Sequence, residues 1–142
     1  MNIKKCITVD FDETLAKTDT CWNGWMHMGT GAIVPIPEVI DFVRQKHSQG
    51  YDVHIVTFRP DEHRQEVVDF VKEHKLPIKD IHCTAGKNKT PTLLKLKSEL
   101  HVDDFVETLV LAEMEGIKCL LVDAGQHEKN STAKLFERIE IN

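Results

Sequence analysis

Ile7-Thr8-Val9-Asp10-Phe11-Asp12-Glu13-Thr14-Leu15 is the stretch on which the reading of this chain turns. Residues 3–9 are apolar and β-favouring apart from Lys4, Lys5 and Thr8, and the run stops abruptly at Asp10-Phe11-Asp12. That pattern reads as a buried strand opening into a polar loop.

Working outward, residues 18–37 hold glycines, tryptophans and methionines without a clear period. Val39, Ile40, Phe42 and Val43 then recur at helical spacing over 38–47, opened by Pro37 and closed by Gly50. The alternation repeats. A strand is expected over 51–57, a helix over 61–74 with Val67, Val68, Phe70 and Val71 inward, and a strand over 78–83. A helix over 90–99, a strand over 100–103, a helix over 105–115 stopped by Gly116, and a strand over 117–122 follow, with a last helix over 132–139. Strands alternating with helices imply right-handed crossovers and a parallel sheet covered on both faces. The expected fold is therefore α/β, a doubly wound three-layer sandwich around a central parallel sheet of about five strands. At 142 residues the chain is expected to be one domain, 1–142.

Composition narrows the function. A hydrophobic fraction of 41% and a charged fraction of 29% are those of a folded soluble protein. The net charge of −5 and the scattered lysines exclude a basic stripe for tight duplex nucleic-acid binding. The four cysteines, Cys6, Cys21, Cys83 and Cys119, form no C-x-x-C pair and read as isolated core thiols. Asp10, Asp12 and Glu13 interrupt any apolar leader, and no run approaches the ~18 residues of a membrane span, so a cytoplasmic setting without membrane contact is expected.

In doubly wound sheets the ligand crevice lies beyond the carboxyl ends of the strands. The residues there are Asp10, Thr57, Thr84, Asp103 and Asp123. Asp123-Ala124-Gly125 makes a plausible turn, which leaves Asp10, Asp12 and Asp103 as the chemical group. Two carboxylates a few Å apart repel by about 4 kcal/mol at a surface-like dielectric, so the three need a positive partner. All-oxygen ligands point to Mg2+, which also accepts phosphate oxygens.

Asp10-Phe11-Asp12-Glu13-Thr14-Leu15 after a hydrophobic strand resembles the D-x-D-x-T signature of the haloacid dehalogenase (HAD) superfamily. Thr57 in Val56-Thr57-Phe58-Arg59 is similar to the second motif, and Asp103-Asp104, with Glu107 following, to the acidic fourth motif. The third motif is a lysine; Lys87, Lys89, Lys95 and Lys97 all compete, and Lys89, ahead of Thr90-Pro91 at a helix start, is preferred. The resemblance implies a phosphatase in which Asp10 attacks phosphorus to form an aspartyl-phosphate, and Asp12 protonates the leaving oxygen and later activates water. It further implies magnesium held by Asp10, the Asp12 backbone carbonyl and Asp103, with Asp104 or Glu107 as possible helpers. Thr57 and Lys89 would then hold the phosphoryl oxygens, and Thr14 belongs to the substrate-facing side of the first motif.

The Thr57-x-Arg59 arrangement is similar to the phosphatase module of polynucleotide kinase-phosphatases, with Arg59 aimed at a phosphate; an ion pair with Asp61 or Glu62 is the rival reading. Neither gap between motifs leaves room for a large cap, so the chain resembles the capless members, which take large substrates or use a second copy as a lid. A short flap at about 13–36 carries Trp22 and Trp25, whose faces suit a base or sugar. The expected partner is thus a phosphorylated small molecule or a nucleotide or nucleic-acid end, with a homo-oligomer possible. A phosphoryl-accepting receiver or a module that binds a phosphorylated ligand without turnover shares sheet, acids, threonine and lysine. Receivers place the acceptor aspartate after the third strand, where this chain has Cys83-Thr84.

Overall fold

A computed structural model describes residues 4–18, 21–22, 27–28 and 33–142, with only the backbone of 21–22 and 27–28. The first apolar run forms β1 (Cys6–Val9), buried along its length. Between it and the first helix the chain makes two short antiparallel ladders: β2 (Ala16–Lys17) with β5 (Val34–Pro35), and β3 (Cys21–Trp22) with β4 (His27–Met28). Trp25 and the Trp22 side chain, expected to supply aromatic faces, lie outside the described residues.

Then follow α1 (Pro37–Ser48), β6 (Asp52–Thr57), a 3-10 turn (Asp61–His63) leading into α2 (Arg64–Glu73), and β7 (Asp80–Cys83). The second half contains α3 (Thr90–Lys95), β8 (Ser98–Asp103), α4 (Val106–Met114) and β9 (Lys118–Asp123). It closes with a 3-10 turn (Ala133–Leu135) and β10 (Glu137–Glu140). The fold class expected from periodicity holds, with one change of element. Where a last helix was expected, Glu137–Glu140 pairs in parallel register with β9, so the sheet has six strands rather than about five. Arg138 anchors that edge by donating to Asp123 Oδ2 at 2.7 Å, a contact no local pattern reveals. The helix expected over 90–99 also stops early, because Lys97 takes a left-handed φ of 56° and the chain turns into β8.

All six strands run parallel in the order β10-β9-β8-β1-β6-β7. The chain leaves β1 toward β6 and β7, then crosses back to the other side of β1 to lay down β8 and β9. With right-handed crossovers, that reversal puts α1 and α2 on one face and α3 and α4 on the other. Ile7, Val9, Val53 and Ile55 pack with Val39, Val43, Val67 and Phe70 on the first face, while Val56 meets Leu93 and Ala112 on the second. The reversal also opens a crevice between the carboxyl ends of β1 and β8, the place where doubly wound sheets hold ligands. Among the described residues no helix is long and apolar enough to cross a membrane.

Phe11, fully buried just beyond β1, meets the Phe70 ring edge-on at 5.2 Å and so ties the first loop to α2. Phe70→Ala removes that support and leaves a cavity. A loss of about 3–5 kcal/mol is expected in urea unfolding, against much less for Phe70→Leu.

Candidate active site

The crevice is built by strand ends. Asp10 follows β1, and its backbone N–H donates to the Val102 carbonyl of β8 at 2.9 Å, which fixes the carboxylate beside Asp103 and Asp104. Glu13 takes a φ of 61°, and the tight turn it permits sends the N–H groups of Thr14, Leu15 and Ala16 to the Phe11 carbonyl. Thr14 is thereby folded under the site, its hydroxyl donating to Asp10 Oδ2 at 3.1 Å. On the β6 side, Thr84, Ala85 and Gly86 donate their N–H groups to the carbonyls of Thr57, Arg59 and Phe58, stitching the two loops together ahead of Lys89.

Lys89 is the hub. It stands at the start of α3, almost completely buried, with its ammonium 2.9 Å from Asp10 Oδ1 and 2.8 Å from Asp103 Oδ2, and 4.5 Å from the centre of the Phe58 ring. Lys87, Lys95 and Lys97 are exposed, so burial separates the four lysines that the sequence left in competition. Burial disfavours the Lys89 charge, but Asp10 and Asp103 outweigh it and raise its pKa. Burial also opposes ionisation of Asp103, yet Lys89 and His101 hold its pKa below the usual carboxylate range. Asp10 goes the other way, pushed up to about 7 by burial and by the charge on Asp103, despite Lys89. Asp104 is raised well above its ordinary value by burial and by Asp10 and Asp103.

A second buried chain supports Asp103 from behind. His101, fully buried two residues earlier on β8, has Nε2 2.8 Å from Asp103 Oδ2 and Nδ1 2.8 Å from Thr8 Oγ1. Thr8 in turn lies 2.9 Å from Ser98 Oγ. Burial lowers the His101 pKa and so favours the neutral ring. Donor counting then orders the chain: Nε2–H donates to Asp103, and Nδ1 accepts from Thr8. His101 was not singled out from sequence, although its same-parity position two before Asp103 marks it as facing the same side of the sheet.

Asp12 belongs to a separate charge cell. Arg59, fully buried, donates from Nη2 to Asp12 Oδ1 at 2.8 Å and from Nε to Oδ2 at 3.0 Å, while Thr18 donates to Oδ1 at 2.8 Å. Its Nη1 lies 3.2 Å from Glu66, and its guanidinium carbon sits 5.1 Å from the Phe11 ring centre. The fork that the sequence reading aimed at a phosphate, or at Asp61 or Glu62, is thus engaged by Asp12 and Glu66. Thr57 Oγ1 accepts the Arg59 N–H at 3.2 Å at the end of β6. Asp123 caps its own turn, accepting from the Gly125 N–H at 2.8 Å.

The donor set fits a hard dication. Asp10, Asp103 and Asp104 each offer an oxygen, all within 4.8 Å of one another, and Asp12 adds no carboxylate oxygen to that group. Three carboxylates face one ammonium, an excess of two formal negative charges in a site nearly closed to water. Asp103 accepts from Lys89 and His101 on Oδ2 and from the Phe105 N–H on Oδ1, and Asp10 accepts from Lys89 on Oδ1 and from Thr14 on Oδ2, so the half-buried Asp104 is the most open of the three donors. Magnesium matches both the charge and the oxygen-only chemistry. Asp104 is the helper that this geometry brings in, and Glu107 stands outside the group.

Comparison with solved structures places this architecture. The fold is that of the haloacid dehalogenase-like hydrolases. A Bacteroides fragilis protein described as a haloacid dehalogenase-like hydrolase superposes with a TM-score of 0.65 at 12% identity, covering 97% of this chain and 96% of that one. CbbY from Rhodobacter sphaeroides, solved with phosphate, gives 0.65 at 14% identity over 96% of this chain and 93% of its own. A Mesorhizobium loti protein described as a HAD-like phosphatase gives 0.62 at 15% identity over 85% and 73%. Protein-family models and curated proteins yield no match.

Two outcomes follow from the charge cells. Arg59→Met leaves the Asp12 carboxylate buried without its fork and should cost about 3–5 kcal/mol in urea unfolding, with Arg59→Lys recovering part of the loss. The second outcome concerns pH. Asp10 ionises near the ordinary 3.9 when unfolded and near 7 when folded, so its contribution is full below about pH 4 and is lost as pH rises through about 7. Asp103, shifted down, acts only below that window. The neutral, buried His101 works in the opposite sense over the same range, so the Asp10 part is read as a difference: in EDTA the melting temperature of wild type relative to Asp10→Asn should fall from pH 4 to 7, and added magnesium should raise that of wild type more at pH 8 than at pH 5.

Proposed function

We propose that this protein is a magnesium-dependent phosphomonoester hydrolase that works through an aspartyl-phosphate on Asp10. The observation that carries the reading is the buried Lys89 ammonium bridging Asp10 and Asp103 at the crevice of a HAD-like sheet. Such a bridge keeps a carboxylate oriented at the strand end with a cation ready for the oxygens of an incoming phosphoryl group. Asp10, Asp104 and Asp103 would hold magnesium, and the bound ion supplies charge neutralisation for the transferring group.

In the first step an Asp10 oxygen forms a bond to phosphorus, the P–O bond to the alcohol breaks, and the alkoxide takes a proton from Asp12, which gains that proton from solvent once the Arg59 fork has loosened. In the second, water attacks the aspartyl-phosphate, gives its proton to Asp12, and releases inorganic phosphate. Asp12 is placed two residues beyond the nucleophile, and Arg59 and Thr18 fix the direction of its carboxylate. Because both its oxygens are engaged, proton delivery requires the Arg59 fork to loosen when substrate arrives. Thr57 and Lys89 serve the phosphoryl oxygens, with Thr14 holding Asp10 in place.

Phosphate release from a broad phosphomonoester panel, with and without EDTA, tests the reading. Wild type should turn over only with magnesium, and Asp10→Asn should lower kcat by at least about 10³-fold. Equal release by Asp10→Asn would remove the nucleophile assignment.

A further inference from the structure

Immediately past Asp104 lies a cavity of about 750 Å³, within the size range of small-molecule sites. Phe105, just before α4, and Val110 and Leu111, in the middle of that helix, form one wall, and Gln126, His127 and Asn130 from the loop after β9 form the other. The cavity borders the acidic crevice, because Asp104 lines the one and belongs to the other. An aromatic path joins them too: Lys89 sits over Phe58, and Phe58 meets the half-exposed Phe105 ring edge-on at 6.0 Å.

Two features say what this cavity is shaped to take. The walls differ in character: Gln126, His127, Asn130 and Thr132 make one side polar, and Phe105, Val110 and Leu111 make the other apolar. The described lining contains no lysine or arginine, and its formal charges are Asp104 and Glu107. A second phosphate there would meet like charge with no compensating cation, whereas a flat neutral group gains apolar contact on one side and hydrogen bonds on the other.

We infer that this cavity binds the alcohol portion of the phosphomonoester, and that the alcohol is uncharged, with an apolar face and hydrogen-bonding edges. A single nucleoside has this chemistry; a nucleic-acid strand or a bisphosphorylated alcohol does not. The inference rests on the phosphatase reading above and narrows its substrate class.

The test compares kcat/KM for a nucleoside 5′-monophosphate, its 3′,5′-bisphosphate and a 5′-phosphorylated oligonucleotide. Wild type should favour the monophosphate by at least about tenfold over both. Leu111→Lys, which puts a cation in the wall, should bring the monophosphate-to-bisphosphate ratio to about one or below; a ratio within one enzyme cancels any loss of folded fraction. Glu107→Gln should lower the same ratio less. A turnover-free arm titrates the free nucleoside into ¹⁵N-labelled wild type, where amide shifts are expected at Val110, Leu111 and His127. Equal kcat/KM for mono- and bisphosphate in wild type, a ratio unmoved by Leu111→Lys, or a nucleoside titration that leaves those amides unshifted would each overturn the proposal. Absence of phosphate release across the whole phosphomonoester panel with magnesium would instead overturn the phosphatase reading, and the nucleoside titration would still decide what the cavity binds.

Discussion

Lys89 carries its charge where water hardly reaches, between two carboxylates that could not both be ionised without it. At an effective dielectric near 20 a pair of unit charges about 4 Å apart gains about 4 kcal/mol, and the contacts here are shorter, which puts each on the scale of the desolvation cost it must offset. The balance is therefore delicate. It holds because the fold brings β1, β8 and the start of α3 to one point, and because His101 and the Phe105 N–H share the negative charge of Asp103. Within it, burial and the charge on Asp103 push Asp10 and Asp104 up.

The acids are divided between two cells rather than pooled. Asp10, Asp103 and Asp104 share Lys89, while Asp12 and Glu66 share Arg59, with Phe11 buried beneath the guanidinium. In the proposed hydrolysis the two carboxylates of the first loop would have different tasks, one attacking phosphorus and one handling a proton. Different tasks need different surroundings. A lysine contributes a compact charge that a phosphoryl group can share, whereas the planar arginine fork holds one carboxylate in one orientation.

Much of this was legible from local pattern. The strand before Asp10, the helices at 38–47 and 105–115, and the positions of Thr57 and Asp103 at strand ends all follow from runs and periods within about ten residues. Their placement on one edge follows from the handedness of crossovers. Residues 137–140 escaped the same reading: Glu137-Arg138-Ile139-Glu140 is too short and polar to show a period, and it becomes a strand only because β9 offers a free edge.

Sequence alone thus settled the α/β class, the parallel sheet and the aspartates at its carboxyl edge, since backbone hydrogen bonding and side-chain parity are local properties. Which lysine is buried, that Arg59 answers Asp12, that Asp104 joins the acidic group and that His101 braces it depended on the folded chain. Charge compensation acts through space, and the Lys89 and Asp10 side chains that meet at 2.9 Å are 79 residues apart. No window along the chain contains that distance.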